Sequence, residues 1–156
     1  MVVALGIRAE PVALHWAVVE GVPDRPVLRA SGSVSCPKAF NEPAVLAWLR
    51  KQILALVDEY DIGVVGLRLI EPIARGAARE SARQRARMEG IIMEAAESAG
   101  RGLIAGALAT IGRYLGSEHP KAYLSQDELR GLEWKRRTPL QREAILVAVA
   151  ALSQSK

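Results

Sequence analysis

The feature that most constrains this chain is a change of period near Asn41, where three short apolar runs give way to a helical pattern. Val2–Ile7, Leu14–Val19 and Val27–Val34 have the length and apolar content of strands. The segments joining them, "RAEPVA" and "EGVPDRP", carry the Pro, Gly and Asp of hairpin turns. Together they predict an antiparallel meander. From Asn41 onward, Leu46, Leu49, Ile53, Leu56, Val57 and Tyr60 recur at helical spacing behind an Asn cap, with Pro43 tolerated in the first turn. That helix is predicted to end near Asp61. Val64–Leu69 then reads as a buried strand, and a helical crossover leaves it parallel to the first.

A second long helix is predicted over Ala78–Ala99, with Met88, Ile92, Ala95 and Ala99 facing the sheet and Gly100 and Gly102 stopping it. Leu103–Ala107 is expected to be a fifth strand and "ATIGRYLG" a small helix. The polar stretch "SEHPKAYLSQDELRGLEWKRR" is expected to hold one short helix over Gln126–Leu132. Thr138, Pro139 and Gln141 form a capping box that opens a last helix running to Leu152.

At 156 residues the chain is expected to be a single domain spanning 1–156. Half its residues are hydrophobic but only 4% are aromatic, so the core must be built from Ala, Val, Leu and Ile, as in helices packed on a sheet. A formal charge of +4 is compatible with a polyanionic partner. Cys36 is the single cysteine, so no internal disulfide can form and a cytoplasmic location is expected. The N-terminus lacks a basic region before its apolar run, and no window reaches the length of a membrane helix, so no membrane association is expected. No Gly-rich phosphate loop is present, and His15 and His119 have no Cys or Asp at ligand or triad spacing. No cofactor is expected.

Two strand-like runs contain an arginine where a core residue would be ordinary: Arg8 in "VVALGIRAEP" and Arg68 in "GVVGLRLIEP". The order of elements, with "GIRAEP" at Gly6–Pro11, "VVGLR" at Val64–Arg68, "QRARMEG" at Gln84–Gly90 and "REAILVAVA" at Arg142–Ala150, resembles the RuvC-like Holliday-junction resolvases of the RNase H-like superfamily. The resemblance spans roughly residues 2 to 152. It implies an α/β fold: a mixed five-stranded sheet, three antiparallel strands then parallel ones, with helices on both faces. It also implies carboxylates at the strand tips that hold two magnesium ions.

Carried over residue by residue, those acidic positions fall on Arg8, Arg68, Leu140 and Glu143, so at best one of the four survives. An always-protonated guanidinium cannot ligate a cation. The expectation is therefore a catalytically degenerate relative, a pseudonuclease and not an enzyme, with no metal. A rival reading recruits Glu10, Glu71 and Glu143 as displaced ligands, although Glu71, three residues past Arg68, is expected on the opposite side of an extended chain.

Arg8 and Arg68 are expected side by side, and adjacent cations need a counter-charge. Glu143, with Glu10 or Glu71, can supply it internally, or a DNA or RNA phosphate can supply it from outside. Lys135, Arg136 and Arg137, just before a helix N-terminus, favour an anion there, and Trp134 beside them can stack on a base or anchor packing. Arg75, Arg79, Arg83 and Arg87 recur every four residues as a basic stripe. Arg8, Arg68, Arg75, Arg79, Arg83, Lys135, Arg136 and Arg137 are the candidate nucleic-acid contacts, with branched DNA as the ligand the family suggests. The resemblance further implies a homodimer through the helix Ala78–Ala99. The alternative is a protein-interaction or scaffold subunit whose basic faces meet acidic partners.

Overall fold

A computed structural model describes residues 1–71 and 78–154. Strands β1 (Val3–Glu10), β2 (Ala13–Val22) and β3 (Arg25–Ser35) form the expected antiparallel meander. Helix α1 (Glu42–Glu59) crosses to β4 (Val64–Arg68), which lies parallel to β1, and α2 (Ala78–Ser98) crosses to β5 (Gly102–Gly106), parallel to β4. The sheet order is β3-β2-β1-β4-β5. Asn41 caps α1 as predicted, its side chain accepting from the Ala44 N–H at 3.0 Å.

One face of the sheet is covered by α1 and α2. Leu49, Ile53, Met88 and Ile92 pack there on Leu5, Ile7, Leu14, Val65 and Leu67. The other face is covered by the last helix, α5 (Pro139–Gln154), whose residues 144–152 are all buried on Ala4, Ala17, Val19 and Val64. A helix so apolar all round belongs inside a fold. The capping box holds: the Gln141 N–H donates to Thr138 Oγ1 at 3.2 Å and the Thr138 N–H to Gln141 Oε1 at 3.4 Å.

The stretch before α5 differs from expectation. Residues 126–132 are not a helix. Short helices α3 (Leu108–Tyr114) and α4 (Pro120–Leu124) precede a hairpin of β6 (Glu128–Leu129) and β7 (Leu132–Glu133). The turn residues Arg130 and Gly131 have φ of 51° and 84°, the left-handed pair that closes a two-residue hairpin. Pro120 starts α4 early by supplying a preset first-turn φ. Trp134, 1% exposed, is a packing anchor whose indole N–H donates to the Gln126 carbonyl at 2.7 Å, so it is not available to stack on a base.

Candidate functional site

Strand alternation places Gly6 and Arg8 of β1, and Gly66 and Arg68 of β4, on the face that α5 covers. The same two-residue spacing on both strands has a packing consequence. A Cβ at Gly6 would stand 1.9 Å from the Ala144 carbonyl oxygen, and one at Gly66 2.5 Å from that of Val147. Only glycine lets α5 lie this close, and its first turn is thereby set over the two arginines.

There Glu143 serves both cations. Its Oε1 accepts from Arg68 Nε at 2.8 Å and lies 3.4 Å from Arg8 Nε, and both guanidinium groups also donate to backbone carbonyls, of Ala9 and Leu69. Glu71 completes the set, 3.0 Å from Arg68 Nη2. The sequence expectation put Glu71 on the far side of the chain. It lies on the near side because β4 stops at Arg68, and strand alternation stops with it. Burial lowers the Arg8 pKa, with Arg68 adding to the effect and Glu143 opposing it.

A second ion pair, which the sequence reading missed, supports the end of β4 from α2. Arg85 Nε donates to Glu89 Oε2 at 2.8 Å, Arg85 Nη2 donates to the Arg68 carbonyl at 3.1 Å, and Glu89 accepts from the Ile70 N–H at 3.0 Å. Both residues are buried. Burial pulls the Arg85 pKa down to about 10, helped by repulsion from Arg8 and Arg68 and opposed by Glu89, and burial holds the Glu89 carboxyl above the ordinary carboxylate range. The sequence signal was an Arg and a Glu four apart on one helix and off the basic stripe.

Cross-strand register carries the polar row further. Arg8 pairs with His15 and His15 with Ser33, so Arg8, His15 and Ser33 form one row across β1, β2 and β3, and Arg8 and Arg68 each follow the last β1–β4 pair, Ile7 with Leu67. His15, 8% exposed, has its Nε2 3.1 Å from Glu10 Oε1 and its Nδ1 2.6 Å from Ser33 Oγ. Gln141 Nε2 donates to Ser33 Oγ at 3.1 Å, tying the row to the first turn of α5.

The remaining candidates divide by exposure. Lys135 and Arg136 are exposed and Arg137 is half-buried; with Trp134, Glu133 and Gln141 they line an open groove. Arg142 builds the loop behind them, donating to the carbonyls of Arg137 at 3.1 Å, Lys135 at 2.8 Å and Leu124 at 2.9 Å. Arg79 and Arg83 are exposed on α2, and Arg87 is paired with Glu42 and Glu80. Arg75 lies outside the described residues. Arg68 borders a second open cavity with Glu71, His119 and Lys121.

The two magnesium ions implied by the resemblance do not fit these residues. The two strand positions carry guanidinium groups, Leu140 is a half-buried aliphatic residue, and Glu143 is committed to both arginines. The displaced set fares no better, because Glu10 faces His15 and Glu71 faces Arg68. Among the described residues no group of three or more His, Cys, Asp or Glu side chains is placed to hold a metal ion.

No protein-family model matches the sequence, and no curated protein matches it. Solved structures do. A structure of Thermus thermophilus RuvC gives a TM-score of 0.76 at 19% identity, covering 95% of this chain and 92% of that one. T. thermophilus RuvC in complex with a Holliday junction substrate gives 0.75 at 17% identity, covering 96% and 92%. The yeast mitochondrial Holliday junction resolvase Ydc2 gives 0.62 at 9% identity, covering 96% and 78%. The chain therefore has the RNase H-like fold in its RuvC-like form.

These neighbours overturn the expectation that the chain is not an enzyme: they are resolvases, which points to enzymatic function. The physical reason is that replacing carboxylates bears on divalent-metal ligation at those positions alone. A side-chain nucleophile needs no such ligands.

Among the described residues, no helix is long and apolar enough to cross a membrane.

Proposed function

We propose that the chain binds nucleic acid by its phosphates, with branched DNA as the preferred ligand. The observation that carries the proposal is the open basic groove of Lys135, Arg136 and Arg137 ahead of α5, on a fold similar along nearly its whole length to a RuvC solved with a Holliday junction substrate. Cations at a helix N-terminus oppose its dipole, and an anion in the groove relieves that opposition. Because Arg142 holds the loop by its carbonyls, the exposed cations remain free to face outward.

Arg79 and Arg83, exposed on α2, are proposed as further phosphate contacts, together with Arg75. Arg8 and Arg68 are proposed as further phosphate contacts, Arg68 from the second cavity that it borders with Glu71, His119 and Lys121. A phosphate reaches Arg68 by displacing Glu71, whose side chain is 52% exposed. A homodimer through α2 belongs to the same proposal, and light scattering would report twice the 16.9 kDa chain mass.

The test is fluorescence anisotropy of a labelled four-way junction, an equal-length DNA duplex and an RNA duplex across a salt series. The expected result is junction binding that weakens with salt, with the Lys135→Ala/Arg136→Ala/Arg137→Ala variant losing about two to three units of log–log salt slope. Folded protein that binds none of the three at low salt would overturn the reading. It would favour instead a protein-partner role for the apolar groove at Val12 and Phe40, which are 69% and 45% exposed.

A further inference from the structure

Ser33, His15 and Glu10 stand in the order nucleophile, base and orienting group, and their polarity follows from donor and acceptor chemistry. An ionised carboxylate only accepts, so Glu10 draws the His15 proton to Nε2, across 3.1 Å. His15 Nδ1 then carries a lone pair, and the Ser33 hydroxyl donates to it across 2.6 Å. The Ser33 oxygen also accepts from Gln141 Nε2 at 3.1 Å.

Three placements make this more than a satisfied histidine. Ser33 is an exposed residue on β3, an edge strand, and its oxygen's contact with Gln141 lies at the surface. His15 is buried and held on both ring nitrogens, which is how a base is kept in one tautomer and one orientation. Gln141 both lines the basic groove and touches Ser33, so an anion held by Lys135, Arg136 and Arg137 lies one side chain away from the hydroxyl.

The geometry points to Ser33 as a metal-independent nucleophile toward phosphodiesters, with His15 as its general base and Glu10 as a positioning residue. The substrate class rests on the phosphate-binding reading given above. In the first step Ser33 Oγ bonds to phosphorus, its proton passes to His15 Nδ1, and the P–O bond opposite Oγ breaks. The departing oxygen takes a proton from water in the open groove, and the hydroxide so formed is neutralised by the proton that His15 releases. In the second step a water, deprotonated by His15, displaces Ser33 from phosphorus, and the proton returns to Oγ. The sum is one water consumed, with one phosphomonoester and one alcohol formed.

The experiment treats the folded full-length protein, in excess EDTA, with diisopropyl fluorophosphate and locates the adduct by peptide mass. Hydrolysis of bis(4-nitrophenyl) phosphate is followed in the same buffer. The expected result is a single adduct on Ser33 and EDTA-resistant hydrolysis. Both should be absent in Ser33→Ala, and the labelling rate should fall about a hundredfold in His15→Gln. Glu10→Gln is expected to slow labelling and to redistribute the His15 proton between its nitrogens in long-range proton–nitrogen spectra, which a purely structural role would not do.

Folded wild type without an adduct on Ser33, or with the adduct on another serine, would overturn the inference, and this result needs no variant to fold. Junction anisotropy on the same sample separates the two proposals. Binding without labelling removes the nucleophile alone, and labelling with hydrolysis but no junction binding removes the nucleic-acid reading alone.

Discussion

Gly6 lies so close beneath Ala144 that a methyl group on its Cα would stand 1.9 Å from the Ala144 carbonyl oxygen. That one approach fixes how deep α5 sits on the sheet and hence where Glu143 falls. Gly6→Ala should force the helix outward and destabilise the fold by at least about 3 kcal/mol, read from urea unfolding. Gly66→Ala should behave similarly. Gly90→Ala, on the exposed face of α2 with no atom within 4 Å of the added carbon, should instead stabilise by about 0.5–1 kcal/mol.

Glu143 shares one oxygen between two arginines whose side chains are 14% and 8% exposed. Glu143→Gln removes the charge and keeps the shape, leaving two nearly buried cations beside each other. A loss of about 3 kcal/mol or more is expected, because breaking a buried pair costs more than replacing it. The double variant Arg8→Met/Glu143→Gln should recover part of that loss. An unchanged melting curve for Glu143→Gln would show that Glu71 and the backbone carbonyls suffice.

Glu89 sets a pH dependence whose sign can be worked out. Its folded pKa is held above the ordinary value by burial, against the pull of Arg85 and the Ile70 N–H. The folded state therefore binds that proton more tightly than the unfolded one. The contribution is fully present below the ordinary carboxylate range and is lost as pH rises through the raised folded value. The stability difference between wild type and Glu89→Gln should shrink in wild type's disfavour as pH climbs from about 4.5 toward neutrality. A pH-independent difference would show that Glu89 titrates alike in both states.

Cys36 lines the apolar groove, and burial raises its thiol pKa, with the Glu10 charge adding to the rise. At a given mildly alkaline pH its thiolate fraction is then smaller than that of a free cysteine, so iodoacetamide should label it more slowly and the pH–rate curve should lie to the alkaline side. Glu10→Gln should move that curve part of the way back.

The meander, the parallel fourth strand, both long helices and the capping box of α5 were legible because each rests on local chemistry: period, caps and turn residues. The pairing of Arg8 and Arg68 with Glu143 was legible through the resemblance, which named the positions that meet. The hairpin at Arg130–Gly131 was not, because an arginine at positive φ carries no propensity signal and the strands it joins are two residues each. The near side chosen by Glu71 was missed because it depends on where β4 stops pairing.

By itself the sequence determined the meander, the parallel fourth strand, the long helices and the need of two strand arginines for counter-charge. Only the tertiary structure decided who supplies it, and that His15 stands between Glu10 and Ser33. Those partners are 5 and 18 residues from His15 in the chain. They meet through cross-strand register, which is set by the turns of the whole meander and by the depth to which two glycines admit α5, and neither is written in any one stretch of residues.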